Sequence, residues 1–325
     1  MRVYVASHGW DKPTLSMYTH SRDVLASLKS VGVDAEPMHL YKAFHAQHGG
    51  FVVPWVQRIA GEYPAHNGGI IHHIDSDAWR GVFAVTIHDL APFVLPGLLR
   101  KFQQPAYTMS VRRAKRVIVT TGGTKKLIEK VVPASRGKVR VVPVPHVPTV
   151  PWRSAEVFDA LWVGATSWNK QPGAFIELAR RNPKLKFAMR VSRGDMPEEE
   201  VARLDRSSRG LTNLAVFREA LGDGDMDTLY RISKSVVSTS TYEGWHAPIM
   251  EGYLRGCRLV LPMREPYEEI YPRYCAFWYF PTGAESLDAA LGDALSAGYS
   301  EPAPEVKWLA SYGNVGAKLL EAYFA

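Results

Sequence analysis

Short β-branched and apolar runs alternate along the chain with longer amphipathic ones. Val3 to Ala6, Ile70 to Ile74, Phe83 to Ile87, Arg116 to Thr120 and Val139 to Val142 have the length and composition of buried strands. Tyr18 to Val31 and Lys125 to Val132 carry apolar residues at helical spacing between them. Pro143, Pro145, Pro148 and Pro151 follow, and neither a helix nor a central strand persists through such a stretch, which is the expected interdomain linker. The pattern then restarts. Strands are expected at Ala160 to Val163, Lys186 to Val191, Leu214 to Phe217, Val236 to Thr239 and Arg258 to Leu261. Helices are expected at Gly173 to Arg181, Met226 to Ile232, Ile249 to Gly256 and Ser286 to Ala297. Such alternation implies βα units around mostly parallel sheets, and the restart makes two successive α/β domains. A last amphipathic segment, Lys307 to Tyr323, places Trp308, Leu309, Tyr312, Val315, Leu319, Leu320 and Tyr323 near one face.

In open parallel sheets ligands bind outside the carboxyl ends of strands, so the loops after strands carry the candidate chemistry. His8, Gly9 and Trp10 follow the first strand, and His88 and Asp89 a later one. Thr166 to Lys170, then Arg190 and Arg193, end strands of the second half. All are expected to converge on one cleft. The most informative loop is Thr241-Tyr242-Glu243-Gly244-Trp245-His246-Ala247-Pro248-Ile249-Met250-Glu251. It follows the apolar, β-branched run at Ser235 to Ser240 and precedes a helix at Ile249 to Arg255, with Pro248 suited to the first helical turn. Free backbone N–H groups and the positive end of the helix dipole then face a ligand. Glu243 in the loop and Glu251 in the first turn supply carboxylates that suit vicinal sugar hydroxyls, while the helix end suits phosphate. Together they describe a nucleotide-sugar pocket. Glu251 also has a plainer reading, complementing the dipole and pairing with Arg255 at i+4.

The pattern E-G-aromatic-x-x-P-x-x-E from Glu243 to Glu251, followed by Gly256-Cys257-Arg258-Leu259-Val260, resembles family 4 of the retaining glycosyltransferases. Val85-Thr86-Ile87-His88-Asp89-Leu90 is similar to that family's strand ending in His-Asp, and Ala114 to Thr121 with Lys125, Lys126 and Leu127 to its next strand and helix. Leu161-Trp162-Val163-Gly164 followed by Lys170 is similar to the opening of its second domain. The resemblance implies the GT-B fold, two Rossmann-like α/β domains facing across a cleft. Residues 1–148 would form the acceptor-binding domain, with a terminal helix of about 307–325 packing back on it, and 149–306 the nucleotide-sugar domain. It further implies that Glu243 contacts the transferred sugar and Glu251 the ribose hydroxyls. Lys170 would stabilise the departing diphosphate with the helix at Pro248, and His88 would lie beside the anomeric carbon and acceptor hydroxyl. Gly244, Trp245, His246, Ala247, Pro248, Ile249 and Gly9 would complete the donor site, with Trp10 and Asp89 on the acceptor side. Three departures stand out. Gly164-Ala165 replaces the usual Gly-Arg, so Arg190 or Arg193 is a candidate substitute. His246 stands where a second Gly is common. Gly9 is the nearest substitute for a Gly-Gly loop.

Composition narrows the remaining classes. With 46% hydrophobic and 22% charged residues, a 325-residue chain has ample core for two soluble domains. Met1-Arg2 leads directly into a strand without an apolar leader, and the region Val82 to Leu99 is interrupted by His88, Asp89, Pro92 and Pro96. Cys257 and Cys275 suggest neither a disulfide framework nor a zinc site. The expected location is therefore cytoplasmic. Net charge is +7, unevenly divided: residues 1–150 hold 19 Lys+Arg against 9 Asp+Glu, the remainder 20 against 23. Arg100, Lys101, Arg112, Arg113, Lys115, Arg116, Lys125, Lys126 and Lys130 lie among apolar neighbours. Anionic lipid attracts such a face by about 1 kcal/mol per basic residue, which leaves contact with the inner face of the cell membrane open beside a merely solvated surface. No recognisable nucleic-acid module accompanies the charge, and no GxGxxG follows the first strand, which disfavours a nicotinamide dehydrogenase. His72, His73, Asp75 and Asp77 match no strong zinc spacing, so no metal is expected. No cofactor is expected either, the nucleotide diphosphate sugar being a substrate. The leading expectation is a retaining glycosyltransferase moving a hexose from GDP-mannose or a UDP-hexose to an anionic or lipid-linked glycan acceptor. The alternatives are a catalytically silent nucleotide- or glycan-binding partner subunit, and an epimerase or phosphorylase on the same architecture.

Overall fold

The computed structural model describes residues 1–7, 10, 16–39, 68–74, 82–95, 98–146, 156–281, 283–299 and 301–325. Among these, the chain divides into two compact units, Met1–Val147 with Trp308–Ala325, and Pro148–Lys307. In chain order the first part contributes β1 (Arg2–Ser7), α1 (Ser16–Ser30), β2 (Asp34–His39), β3 (Ile70–His73), β4 (Ala84–Ile87), α2 (Ala91–Val94), α3 (Leu98–Arg113), β5 (Arg116–Val119), α4 (Gly122–Val131) and β6 (Val139–Val141). Next come β7 (Phe158–Ala165), α5 (Pro172–Arg181), β8 (Phe187–Ser192), α6 (Glu198–Ser208), β9 (Leu214–Phe217), α7 (Asp223–Arg231) and β10 (Ser233–Val237). The remainder is α8 (Ala247–Leu254), β11 (Arg258–Pro262), α9 (Tyr267–Ile270), β12 (Ala276–Tyr279), α10 (Ala284–Ser296), α11 (Pro304–Leu309) and α12 (Tyr312–Phe324).

Each unit is built on a parallel sheet. The first has strand order β2-β1-β3-β4-β5-β6, the second β12-β11-β10-β7-β8-β9. In the second sheet, successive strands are laid down outward from β7 to one edge and then outward from β10 to the other. The strand order thus reverses between β7 and β10, and in open parallel sheets ligands bind at such a reversal, outside the carboxyl ends of the strands. The corresponding reversal in the first sheet lies between β1 and β3.

Both faces of the first sheet are covered, as a parallel sheet requires. Along β1 the alternation sends Val3 and Val5 to one core with Val24 and Leu28 of α1 and Val315, Leu319 and Tyr323 of α12. Tyr4 and Ala6 go to the opposite core with Val85, Val117 and Ile128. Helix α12 approaches α1 closely: a Cβ added at Gly316 would lie 2.2 Å from the Ser27 carbonyl oxygen. Tyr323 donates or accepts at His72 Nδ1 across 2.8 Å, and Arg116 donates to the Ala322 carbonyl, tying the helix to the sheet. The second unit's core gathers Trp162, Phe175, Phe187, Met189, Val237, Val260 and Leu291.

The expected segment Lys307 to Tyr323 is two helices, because the chain breaks at Ala310-Ser311 and Ser311 caps α12 by accepting from the Asn314 N–H. Helices α2, α3 and α9 lie where no helix or strand was expected, and so do three other elements. Strand β2 is an edge strand containing Pro37; β12 lies at the other sheet's edge; and α6 has no buried residue to give it an apolar stripe.

Candidate functional site

The reversal of strand order in the second unit coincides with the residues singled out by the sequence. After β7 the chain makes a short turn at Trp168–Lys170, and after β10 it runs through Ser238 to His246 before α8. The two loops are joined edge to edge. Thr241 N–H donates to the Asn169 carbonyl (2.7 Å), and Asn169 Nδ2 donates to the Tyr242 carbonyl (3.0 Å). Underneath, Trp162 Nε1 donates to Thr239 Oγ1, which in turn donates to the Lys170 carbonyl at 2.7 Å. Gly164 leaves room for that indole, since a Cβ there would sit 2.7 Å from the Trp162 ring. Lys170 Nζ is thereby delivered to Glu243 Oε1 at 2.6 Å.

Burial alone would raise the Glu243 pKa. His246 and Lys170, with the hydrogen bond from Lys170, more than offset it and hold the carboxyl below its usual range. His246 Nδ1 lies 3.7 Å from Glu243 Oε1, yet burial pushes the imidazole down to about 3, against the raising influence of Glu243. At neutral pH the positive partner of Glu243 is therefore Lys170, and His246 is neutral. Its ring is held by Tyr267 Oη at 2.6 Å, which also meets Ser238 Oγ at 2.6 Å.

His246 has φ 68° and caps α8, while Gln171 has φ 50° and caps α5. They are the positive-φ non-glycine residues among the described residues, and both open helices with Pro in the first turn at this reversal. A side chain in the left-handed region costs on the order of 1–2 kcal/mol, so the surroundings must impose it.

Glu251 is the fifth residue of α8, just past the first turn. Its Oε2 accepts from Tyr230 Oη of α7 at 2.9 Å, and burial with the neighbouring Glu251 charge raises the Tyr230 phenol far above its ordinary value. Arg255 donates Nε to Asp227 and Nη1 to the main-chain carbonyl of Glu251. Gly252 lets α8 lie flat on β10, for its Cβ would come within 2.9 Å of Val236. Lys170, Glu243 and His246 are thus brought together, with Glu251 on the helix that His246 caps. Gly244, Trp245 and Ile249 are buried, while Ala247 and Pro248 are half-buried.

Neither candidate for the missing cation is bonded to this cluster among the described contacts. Arg193 is exposed and pairs with Glu198, and Arg190 is half-buried in β8 with its Nε lacking a hydrogen-bond partner. Arg264, after β11, was not singled out by the sequence; its Nη1 donates to the Thr241 carbonyl at 2.5 Å. Ser238, Tyr230 and Tyr267 were likewise missed, whereas Asn169 lies in the expected strand-end run Thr166 to Lys170. The strand-end rule reaches the loops of Asn169, Ser238, Arg264 and Tyr267, but nothing in the one-dimensional pattern marks Tyr230 on α7.

In the first unit His88 follows β4, and its Nε2 bonds the Ile74 carbonyl at 2.8 Å. A carbonyl only accepts, so Nε2 carries a proton. His20 stacks edge-on against His88 with ring centroids 4.8 Å apart, and burial, then the charges of His88, His72 and His146, push its pKa well below the ordinary value. Asp89 accepts from the Ala91 N–H at the start of α2. Trp10 is half-buried, donates to the Val5 carbonyl and packs edge-on against Tyr18. Gly9 lies outside the described residues, as do Asp75 and Asp77. His72 is buried between Tyr323 and Thr86, each 2.8 Å from a ring nitrogen, which is the environment of a structural histidine.

No protein-family model and no curated protein matches the chain. Solved structures do. Sucrose-phosphate synthase from Thermosynechococcus elongatus aligns with a TM-score of 0.71 over 100% of this chain and 95% of that one, at 11% identity. Anabaena HepE, solved with UDP and glucose, aligns at 0.64 over 99% and 95%, with 14% identity. S. aureus TarM, in a complex that includes UDP, aligns at 0.61 and 13% identity over 79% of this chain; the match spans 55% of the TarM chain, little more than half its length. The fold is GT-B. These identities carry no more than that, and the chemistry rests on the residues described above.

Proposed function

We propose that the chain is a retaining glycosyltransferase that moves a hexose from GDP-mannose or a UDP-hexose to an anionic or lipid-linked glycan acceptor. The observation that carries this reading is the Lys170–Glu243 pair, 2.6 Å apart at the strand-order reversal of a Rossmann-like sheet and beside the amino end of α8. A dinucleotide or nucleotide sugar binds such a reversal through its diphosphate. Glu243 would hold the transferred sugar, Glu251 the ribose, and Lys170 with the α8 dipole the charge that develops on the departing diphosphate. His88 would serve the acceptor side. UDP in the HepE and TarM structures supports a uridine donor as the first to test.

The acceptor class follows from the basic surplus of residues 1–150. Arg112, Arg113, Lys115, Lys126 and Lys130 are exposed, which suits contact between the first unit and anionic lipid at the inner face of the cell membrane. Arg116 is not available in the same way, since its guanidinium is bonded to Ala322 and Ala325. No helix among the described residues is long and apolar enough to cross a membrane. The test is a panel of nucleotide diphosphate sugars read by nucleotide diphosphate release, with and without anionic vesicles. Release by the wild type, lost in Glu243→Ala and Lys170→Ala, is expected; full-rate release by both variants overturns the assignment. Nucleotide binding with no release from any donor would favour the silent partner subunit.

A further inference from the structure

Behind the Lys170–Glu243 pair lies a buried polar triangle that the sequence did not announce. Tyr267 Oη is 2.6 Å from both Ser238 Oγ and His246 Nδ1, and Ser238 Oγ is 3.3 Å from His246 Nδ1. Tyr267 is fully buried, as is Ser238, and His246 is 6% exposed. The three come from separate places: the end of β10, the cap of α8, and α9 after β11. Ser238 is fixed from two more sides, its carbonyl accepting from Tyr279 Oη and its Oγ accepting from the Ser240 N–H.

Two hydroxyls and an imidazole nitrogen buried this deeply need partners, and here Tyr267 Oη, Ser238 Oγ and His246 Nδ1 supply them to one another. The consequence falls on the loop. His246 occupies a left-handed backbone position that glycine would adopt without cost, so the chain keeps a strained residue there for what its ring does. The nitrogen that Tyr267 holds, Nδ1, lies 3.7 Å from Glu243 Oε1, with Lys170 at 2.6 Å from the same oxygen. We propose that Tyr267, acting through Ser238 and His246, is a positioning residue that fixes the direction in which Glu243 presents its carboxylate to the sugar of a nucleotide sugar. The phenol itself touches no substrate. This rests on the reading of Glu243 as a sugar ligand.

Calorimetric titration with UDP-glucose against UDP, and GDP-mannose against GDP, separates the sugar's share of the affinity from the nucleotide's. Tyr267→Phe removes one oxygen and keeps the ring. It is expected to leave UDP or GDP affinity within twofold while reducing the sugar-dependent increment at least fivefold, and His246→Gly is expected to reduce that increment at least as much. The double variant should be no worse than His246→Gly alone, because both cut one chain. His246→Asn, which tolerates the left-handed backbone and offers an amide to Tyr267, should recover part of the increment. An unchanged increment in Tyr267→Phe overturns the proposal, as do additive losses in the double variant or an equal loss of UDP affinity, which marks general damage. Glu243→Ala distinguishes the two levels. If it keeps the increment, or if the wild type shows none, the sugar-ligand reading fails and takes this proposal with it. If Glu243→Ala loses the increment and Tyr267→Phe keeps it, the positioning role alone fails.

Discussion

Glu243 is an anion with a side chain 9% exposed, and Lys170 is what makes that tolerable. Removing one partner of a buried pair strands the other and costs about 3–5 kcal/mol. Lys170→Ala should therefore lower stability in a denaturant titration and raise the Glu243 pKa, besides cutting donor turnover by on the order of 100-fold. A variant as stable and as active as the wild type would contradict both roles. His72 and His246 set a second expectation. Both are held neutral with pKa values of about 3, against an ordinary 6.5 in the unfolded chain. Below about 6.5 the unfolded state binds protons that the folded state refuses, so stability falls with pH from there towards 3. Each contributes up to about 1.4 kcal/mol per pH unit. Urea titrations between pH 7 and 5 should show this slope, made shallower by one proton in His72→Gln; an identical slope in the variant would refute it. At this scale the sequence exposed the acidic residues and Lys170, because their types and spacing are themselves the signal. Tyr230 and Tyr267 were not legible, since a buried tyrosine looks like core until its hydroxyl is seen to have a partner.

Helix α12 shows how an element is held to its neighbour. Gly316 faces the Ser27 carbonyl with no room for a Cβ, whereas Gly313 in the same helix has nothing within 4 Å of the same position. Gly316→Val should push α12 away from α1 and lower stability by at least about 2 kcal/mol. Gly313→Ala should raise it by about 0.5–1 kcal/mol, because alanine has less backbone freedom to lose in a helix. Thermal melts of the two variants check both signs, and a Gly316→Val protein melting with the wild type would contradict the close packing. Elements with apolar periodicity were legible: β1, α5, β9 and α10 lie within two residues of where the pattern puts them. Elements that bury little were not. Edge strand β2 carries Pro37 and alternates only partly, and α6 begins Glu-Glu-Glu, has no fully buried residue, half-buries Val201 and packs Leu204 against the core, so the period each writes into the sequence is short. The break at Ala310-Ser311 was hidden by apolar residues continuing across it.

For the whole molecule, the alternation of strands and helices carried the fold class, and the likeness to GT-B structures at 11–14% identity agrees with it. What the alternation did not carry is strand order. That order places the loops after β7 and β10 side by side, and it is why Lys170 and Glu243, 73 residues apart in sequence, share a proton-sized gap. The uneven charge belongs to this scale too. Co-sedimentation should show the wild type bound to vesicles containing anionic lipid at low salt and released as salt screens the interaction, with zwitterionic vesicles leaving it free. Equal binding to both lipids would sever the acceptor argument from the charge. The central claim is that the Lys170–Glu243 pair grips an activated sugar, and the most direct measurement is nucleotide diphosphate release from the donor panel by wild type and Glu243→Ala. The account predicts turnover of at least one donor by the wild type and a loss of on the order of 100-fold or more in the variant. Undiminished release by Glu243→Ala, from any donor the wild type uses, would contradict it.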